Sequence, residues 1–133
     1  MSPRPNGSKR ILVVDDDRNI RFLAERILTG AGYRVEFATD GEEAVAKILG
    51  SPPDLVILDL TLPALDGWGV LQRLKDVADR PPVVVLTAHG DYGALPGQVR
   101  EAATAYLTKP FSLRQLVSTC EGILAASVAP PSA

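Results

Sequence analysis

"DLVILDL", residues 54–60, is apolar without interruption from Leu55 to Leu58, with Asp54 before the run and Asp59 after it. A strand exposed on one face would alternate polar and apolar residues; this one does not, so it reads as buried on both faces. That is the pattern of a parallel sheet layered between helices. The runs around it agree: Arg10–Val14, Tyr33–Ala38, "PPVVVLT" at 81–87 and "AYLT" at 105–108 read as further strands. Tyr33–Ala38 is the least uniformly apolar and suits a sheet edge.

Helical periodicities fill the gaps. Ile20, Leu23, Ala24, Ile27 and Leu28 recur at i, i+3, i+4, i+7 and i+8, in a helix closed by Gly30 or Gly32. Asp40 caps a second helix that turns Ala44, Val45, Ile48 and Leu49 inward and ends at Gly50. A third follows Asp66 and uses Val70, Leu71 and Leu74. The last opens at Ser112 and sets Leu113, Leu116, Val117, Cys120 and Leu124 on one face. "HGDYGALPGQVREAA", residues 89–103, is the unusual stretch. Proline is tolerated only in a helix's first turn, so a long loop and a short fourth helix, from about Leu95–Pro96 to Ala102–Ala103, are predicted there. Five β/α units make an α/β fold. Right-handed crossovers leave few strand orders, and 2-1-3-4-5 is a common one.

The bulk numbers narrow the function. A chain of 133 residues makes one domain with a real core. The net charge is −2 and no basic run exceeds Lys9-Arg10, which argues against nucleic-acid binding by this domain alone. No apolar stretch reaches the roughly 18 residues of a membrane span, and no signal peptide opens the chain. A lone cysteine, Cys120, excludes an intramolecular disulfide and fits the cytoplasm. Residues 1–8 read as a flexible segment, 9–125 as the domain and 126–133 as a Pro-rich tail or the start of a linker.

In open parallel sheets, ligands bind beyond the carboxyl ends of the strands, where the strand order reverses. Asp15 and Asp16 follow the first strand, Asp59 ends the third, Thr87 ends the fourth and Lys109 follows the fifth. Carboxylates gathered at one point repel and call for a cation; oxygen donors suit Mg²⁺. With the ion in place, one carboxylate can act as nucleophile toward phosphorus, Lys109 adds positive charge and Thr87 donates a hydrogen bond.

"ILVVDDD" (11–17), "DLVILDLTLPALDG" (54–67), "VVVLTAHG" (83–90) and "YLTKPF" (106–111) together resemble the receiver domain of two-component response regulators, over about residues 9–125. The resemblance implies a flavodoxin-like (βα)5 three-layer sandwich of strand order 2-1-3-4-5. It makes Asp59 the phospho-acceptor. Asp16 would bind Mg²⁺ (or Mn²⁺) directly, Asp15 mainly through water, and the Thr61 backbone carbonyl would be a further ligand. Lys109, in a cis bond to Pro110, would pair with the acceptor and then with the phosphoryl group. Thr87 and the Ala88 N–H would bind phosphoryl oxygens, and Tyr106 would follow Thr87 inward as a switch. The donor would be a histidine kinase or phosphotransfer protein, the recipient of the signal an unknown downstream effector. Such a domain catalyses only its own phosphorylation and dephosphorylation, so it is no enzyme toward other substrates.

Other roles stay open beside these. Asp17 reads as the first helix's cap or a first-turn charge. His89 is either a solvated loop imidazole or, with Thr61, a neighbour of the phosphoryl site that tunes dephosphorylation. Tyr106 by itself could be a sheet-edge aromatic, and Cys120 is core filler. Two rival functions are a haloacid-dehalogenase-type phosphatase, with Asp15 as nucleophile and Asp17 as acid, and a degenerate receiver-like binding module. Asn19 stands where the phosphatase pattern has Thr or Val.

Overall fold

A computed structural model describes residues 9–59, 67–75, 77, 80–87, 103–108 and 111–127. In chain order the elements are β1 (Arg10–Val14), α1 (Arg18–Gly30), β2 (Arg34–Ala38), α2 (Gly41–Gly50), β3 (Leu55–Asp59), α3 (Gly67–Leu74), β4 (Val83–Thr87), β5 (Ala105–Thr108) and α4 (Leu113–Ser127). The strands form one parallel sheet of order β2-β1-β3-β4-β5, as expected, with β2 at an edge. The short helix predicted within residues 89–103 lies almost wholly outside the described residues. α4 extends to Ser127, two residues into the stretch read as a tail.

Alternation along the strands sorts the core into two layers. Leu12, Val14, Val56, Leu58, Val83 and Val85 pack with α2 and α3. Ile11, Val13, Leu55, Ile57, Val84 and Leu86 pack with α1 and α4. β3 is buried along its whole length, which is what its unbroken apolar run requires. Each such side chain removed from water contributes about 1.5–3 kcal/mol. Cys120 is fully buried in the second layer and burial pushes its thiol up to about 12, so it is inert filler.

The helix ends follow local chemistry. Asp17 caps α1 by accepting from the Asn19 N–H at 2.8 Å. Asp40 caps α2 by accepting from the Glu43 N–H at 2.8 Å, while Glu43 accepts from the Thr39 N–H. Before α4, Ser112 and Gln115 form a reciprocal capping box, at 3.0 and 2.9 Å. α1 ends at Gly30 with Ala31 as its C-cap, and the chain turns away at Gly32, whose φ of 101° only glycine adopts freely; the Tyr33 N–H reaches Leu28 O and the Gly32 N–H reaches Thr29 O, both at 3.0 Å.

Two inward assignments are corrected. Leu23 is 41% and Leu49 57% exposed. Both stand at the margin of an apolar stripe whose centre, Ala24 and Leu28 in α1 and Ala44, Val45 and Ile48 in α2, is buried. Periodicity marks where a stripe runs; its width depends on how much of the helix its neighbours cover.

Candidate functional site

Strand register brings the acids together. Val14 pairs with Leu58, so Asp15, one residue on, is level with Asp59 on the neighbouring strand. Asp59 in turn pairs with Leu86, which sets Thr87 one step beyond it, and Thr87 pairs with Thr108. Adjacent strands lie about 4.7–4.9 Å apart. Side chains at the same level on neighbouring strands are therefore within reach of one ion.

Asp15, Asp16 and Asp59 each offer a carboxylate oxygen, and these oxygens all lie within 4.8 Å of one another. Asp15 is 0% and Asp59 2% exposed, whereas Asp16 is exposed. Two walls of the site are thus dry and the third faces solvent. The donors are all hard oxygens, and the open side leaves room for waters, a set that fits Mg²⁺ or Mn²⁺ and not a thiophilic metal.

The turn carrying the first two acids is tied at several points. The Asp15 N–H donates to Ala38 O at 3.2 Å, extending the β1–β2 ladder. Asp15 Oδ1 accepts from the Asp17 N–H at 2.9 Å, and Asp15 O accepts from Arg21 Nη1 at 2.8 Å. Asp17 therefore serves as helix cap, and among the described residues it is not in the acidic group. Reading the residues had not singled out Arg21; a base four positions after an N-cap carries no signal of its own.

Tyr106 is half-buried in β5 and packs against the layer under α2 and α3, as its parity in the strand dictates. Thr87 is placed by its backbone at the end of β4. Thr61, Ala88, His89, Lys109 and Pro110 lie outside the described residues. Among the described residues no helix is long and apolar enough to cross a membrane.

A family model, the response regulator receiver domain, matches residues 11–121. Response regulator MprA of Mycolicibacterium vanbaalenii is 42% identical over 115 residues, which cover 86% of this chain and 50% of that protein. The chain spans about half the length of the curated relatives it matches. Among solved structures, the receiver domain of NtrX from Brucella abortus superposes with a TM-score of 0.78 at 35% identity, covering 86% of this chain and 98% of that one. The chemotaxis response regulator CheY4 of Vibrio cholerae gives 0.80 at 30% identity, covering 86% and 98%.

Proposed function

The chain belongs to the response regulator receiver domain family of two-component signalling, and on that premise we propose that Asp59 is the residue it phosphorylates. The observation that carries this reading is the gathering of the Asp15, Asp16 and Asp59 carboxylates within 4.8 Å at the carboxyl ends of adjacent strands. Asp15, Asp16, Asp59 and the Thr61 carbonyl would hold the divalent ion. Bound there, Mg²⁺ would neutralise charge on the phosphoryl oxygens and hold them beside the acceptor.

The chain's own residues then do the following. An Asp59 oxygen attacks the phosphorus of a phosphohistidine on a kinase or phosphotransfer protein. The P–N bond breaks, its electron pair goes to the imidazole nitrogen, and that nitrogen takes up a proton. Lys109, Thr87 and the Ala88 N–H bind the transferred oxygens, which carry most of the charge in the transition state. Tyr106 follows Thr87 inward and alters the surface offered to a downstream effector. Water later attacks the phosphorus and breaks its bond to the Asp59 oxygen, returning carboxylate and inorganic phosphate; Thr61 and His89 set that rate. No substrate beyond the phosphodonor is turned over, and the setting is the cytoplasm, where such kinases present their phosphohistidine.

The phosphatase alternative gains no support. It needs Asp17 as acid, and that carboxylate caps α1. The test is intact-mass measurement after incubation with Mg²⁺ and a small phosphodonor such as acetyl phosphate. One phosphoryl group on Asp59 is expected, with none in Asp59→Asn and none without metal. Label on Asp15 would establish the phosphatase reading, and no uptake at all would leave a binding module.

A further inference from the structure

Arg21 sits in the first turns of α1, part-buried, and its guanidinium is directed back at the acidic turn. Its Nη1 donates to the backbone carbonyl oxygen of Asp15 at 2.8 Å. That carbonyl belongs to the peptide linking Asp15 to Asp16. A peptide is planar, so holding its oxygen fixes ψ of Asp15 and φ of Asp16 together. Residues 15–17 lie between β1 and α1, tied to the sheet through the Asp15 N–H and to the helix through the Asp17 carbonyl. The other ties in the turn act elsewhere: the Asp15 N–H goes to Ala38 O, and the Asp17 N–H to Asp15 Oδ1. Neither of these two bonds engages the Asp15 carbonyl, which Arg21 holds. Asp16 is the exposed member of the acidic group, so the direction of its side chain depends most on the backbone beneath it.

We infer that Arg21 is a positioning residue for the divalent-ion seat, holding the Asp15–Asp16 peptide so that the Asp16 carboxylate faces Asp15 and Asp59. The inference rests on the reading of those three acids as a metal seat. It also has a sign that simple electrostatics does not share. Arg21 is a cation beside a cation site, so deleting it for charge alone would tighten Mg²⁺ binding, whereas deleting a positioning group loosens it.

The test titrates the full chain with MgCl₂ by isothermal calorimetry and follows thermal unfolding without metal. Arg21→Met should bind Mg²⁺ about tenfold more weakly, the low end for losing a group that orients a ligand. Arg21→Lys, which keeps the charge and one donor at similar reach, should recover part of that loss. Arg21→Gln, neutral and too short to reach the carbonyl, should resemble Arg21→Met, and it decides the question if Arg21→Met does not fold. Wild-type or tighter affinity in a folded Arg21→Met or Arg21→Gln overturns the inference, as does a lowered metal-free melting temperature with unchanged affinity, which would leave Arg21 a structural brace. A wild type that neither releases nor absorbs heat and whose melting temperature Mg²⁺ does not raise removes the metal seat itself, and this inference with it.

Discussion

At the carboxyl ends of the strands, Asp15, Asp16 and Asp59 bring three like charges within 4.8 Å, whereas at the amino ends Arg10 makes a hydrogen bond with every donor of its guanidinium. Its Nε and Nη2 grip the two Glu36 oxygens at 3.0 Å each, and its remaining donors reach Ser51 Oγ, Ser51 O and Pro52 O at 3.1–3.3 Å. Asp54 closes the same corner, accepting from the Arg10 N–H while its own N–H donates to Arg10 O, both at 2.8 Å. One end thus joins β1 to β2 by opposite charges and to the end of α2 by neutral acceptors, and the other gathers like charges in a partly dry site. A folded chain keeps buried like charges where something cationic is bound to them. The amino end is built for cohesion, the carboxyl end for chemistry.

The largest test of that contrast is Asp59→Asn. It should abolish phosphoryl uptake, read by intact mass, without lowering the metal-free melting temperature, because it removes one of three mutually repelling charges. A substantial drop would make Asp59 part of the scaffold and erase the contrast. Next, Mg²⁺ at about a hundred times its dissociation constant should add about 2.7 kcal/mol to unfolding stability. Denaturant melts should show that gain in wild type and little of it in Asp59→Asn, while an Arg10→Ala variant, altered at the far end, should keep it.

Asp17→Ala should cost about 1 kcal/mol, the usual loss for an N-cap. Phosphoryl uptake should persist, since the bond to Asp15 Oδ1 comes from the backbone N–H that alanine keeps. Lost uptake would place Asp17 with its neighbours in the site. The smallest effect belongs to Glu36→Gln. Its ion pair with Arg10 is partly solvent-screened, and roughly 0.5 kcal/mol is expected at low salt, shrinking as salt rises. The bond from Arg10 holds the Glu36 carboxyl below its ordinary range. Its stabilisation is therefore complete above the pKa of an unfolded glutamate and is lost as pH falls through the lower folded value. Acid titration of stability in wild type against Glu36→Gln should show the difference in that window; identical curves would mean the corner is held by its neutral bonds.

Much of this was legible from residues alone because the signals are local. Apolar runs marked the strands to within a residue or two, as at Arg10–Val14 and Ala105–Thr108. Asp40 and Ser112 marked helix starts because a capping side chain bonds N–H groups two or three residues away. The acids stood out because each follows an apolar run. Leu23 and Leu49 were misread because a helix's exposed margin depends on elements far away in the chain. The Arg10 corner went unseen for the same reason: its partners come from β2 and the loop before β3, and a charged residue beside a strand looks the same whether paired or solvated.

By itself the sequence determined the order of elements, the two-sided burial of β3, the helix caps and which carboxylates stand at strand ends, since all of these depend on contacts along the chain. Tertiary structure alone decided that Asp15 and Asp59 come level, that the three carboxylates gather within 4.8 Å, and that Arg21 holds the peptide between the first two acids. Those outcomes follow from strand register and helix placement, which arise only when distant segments pack.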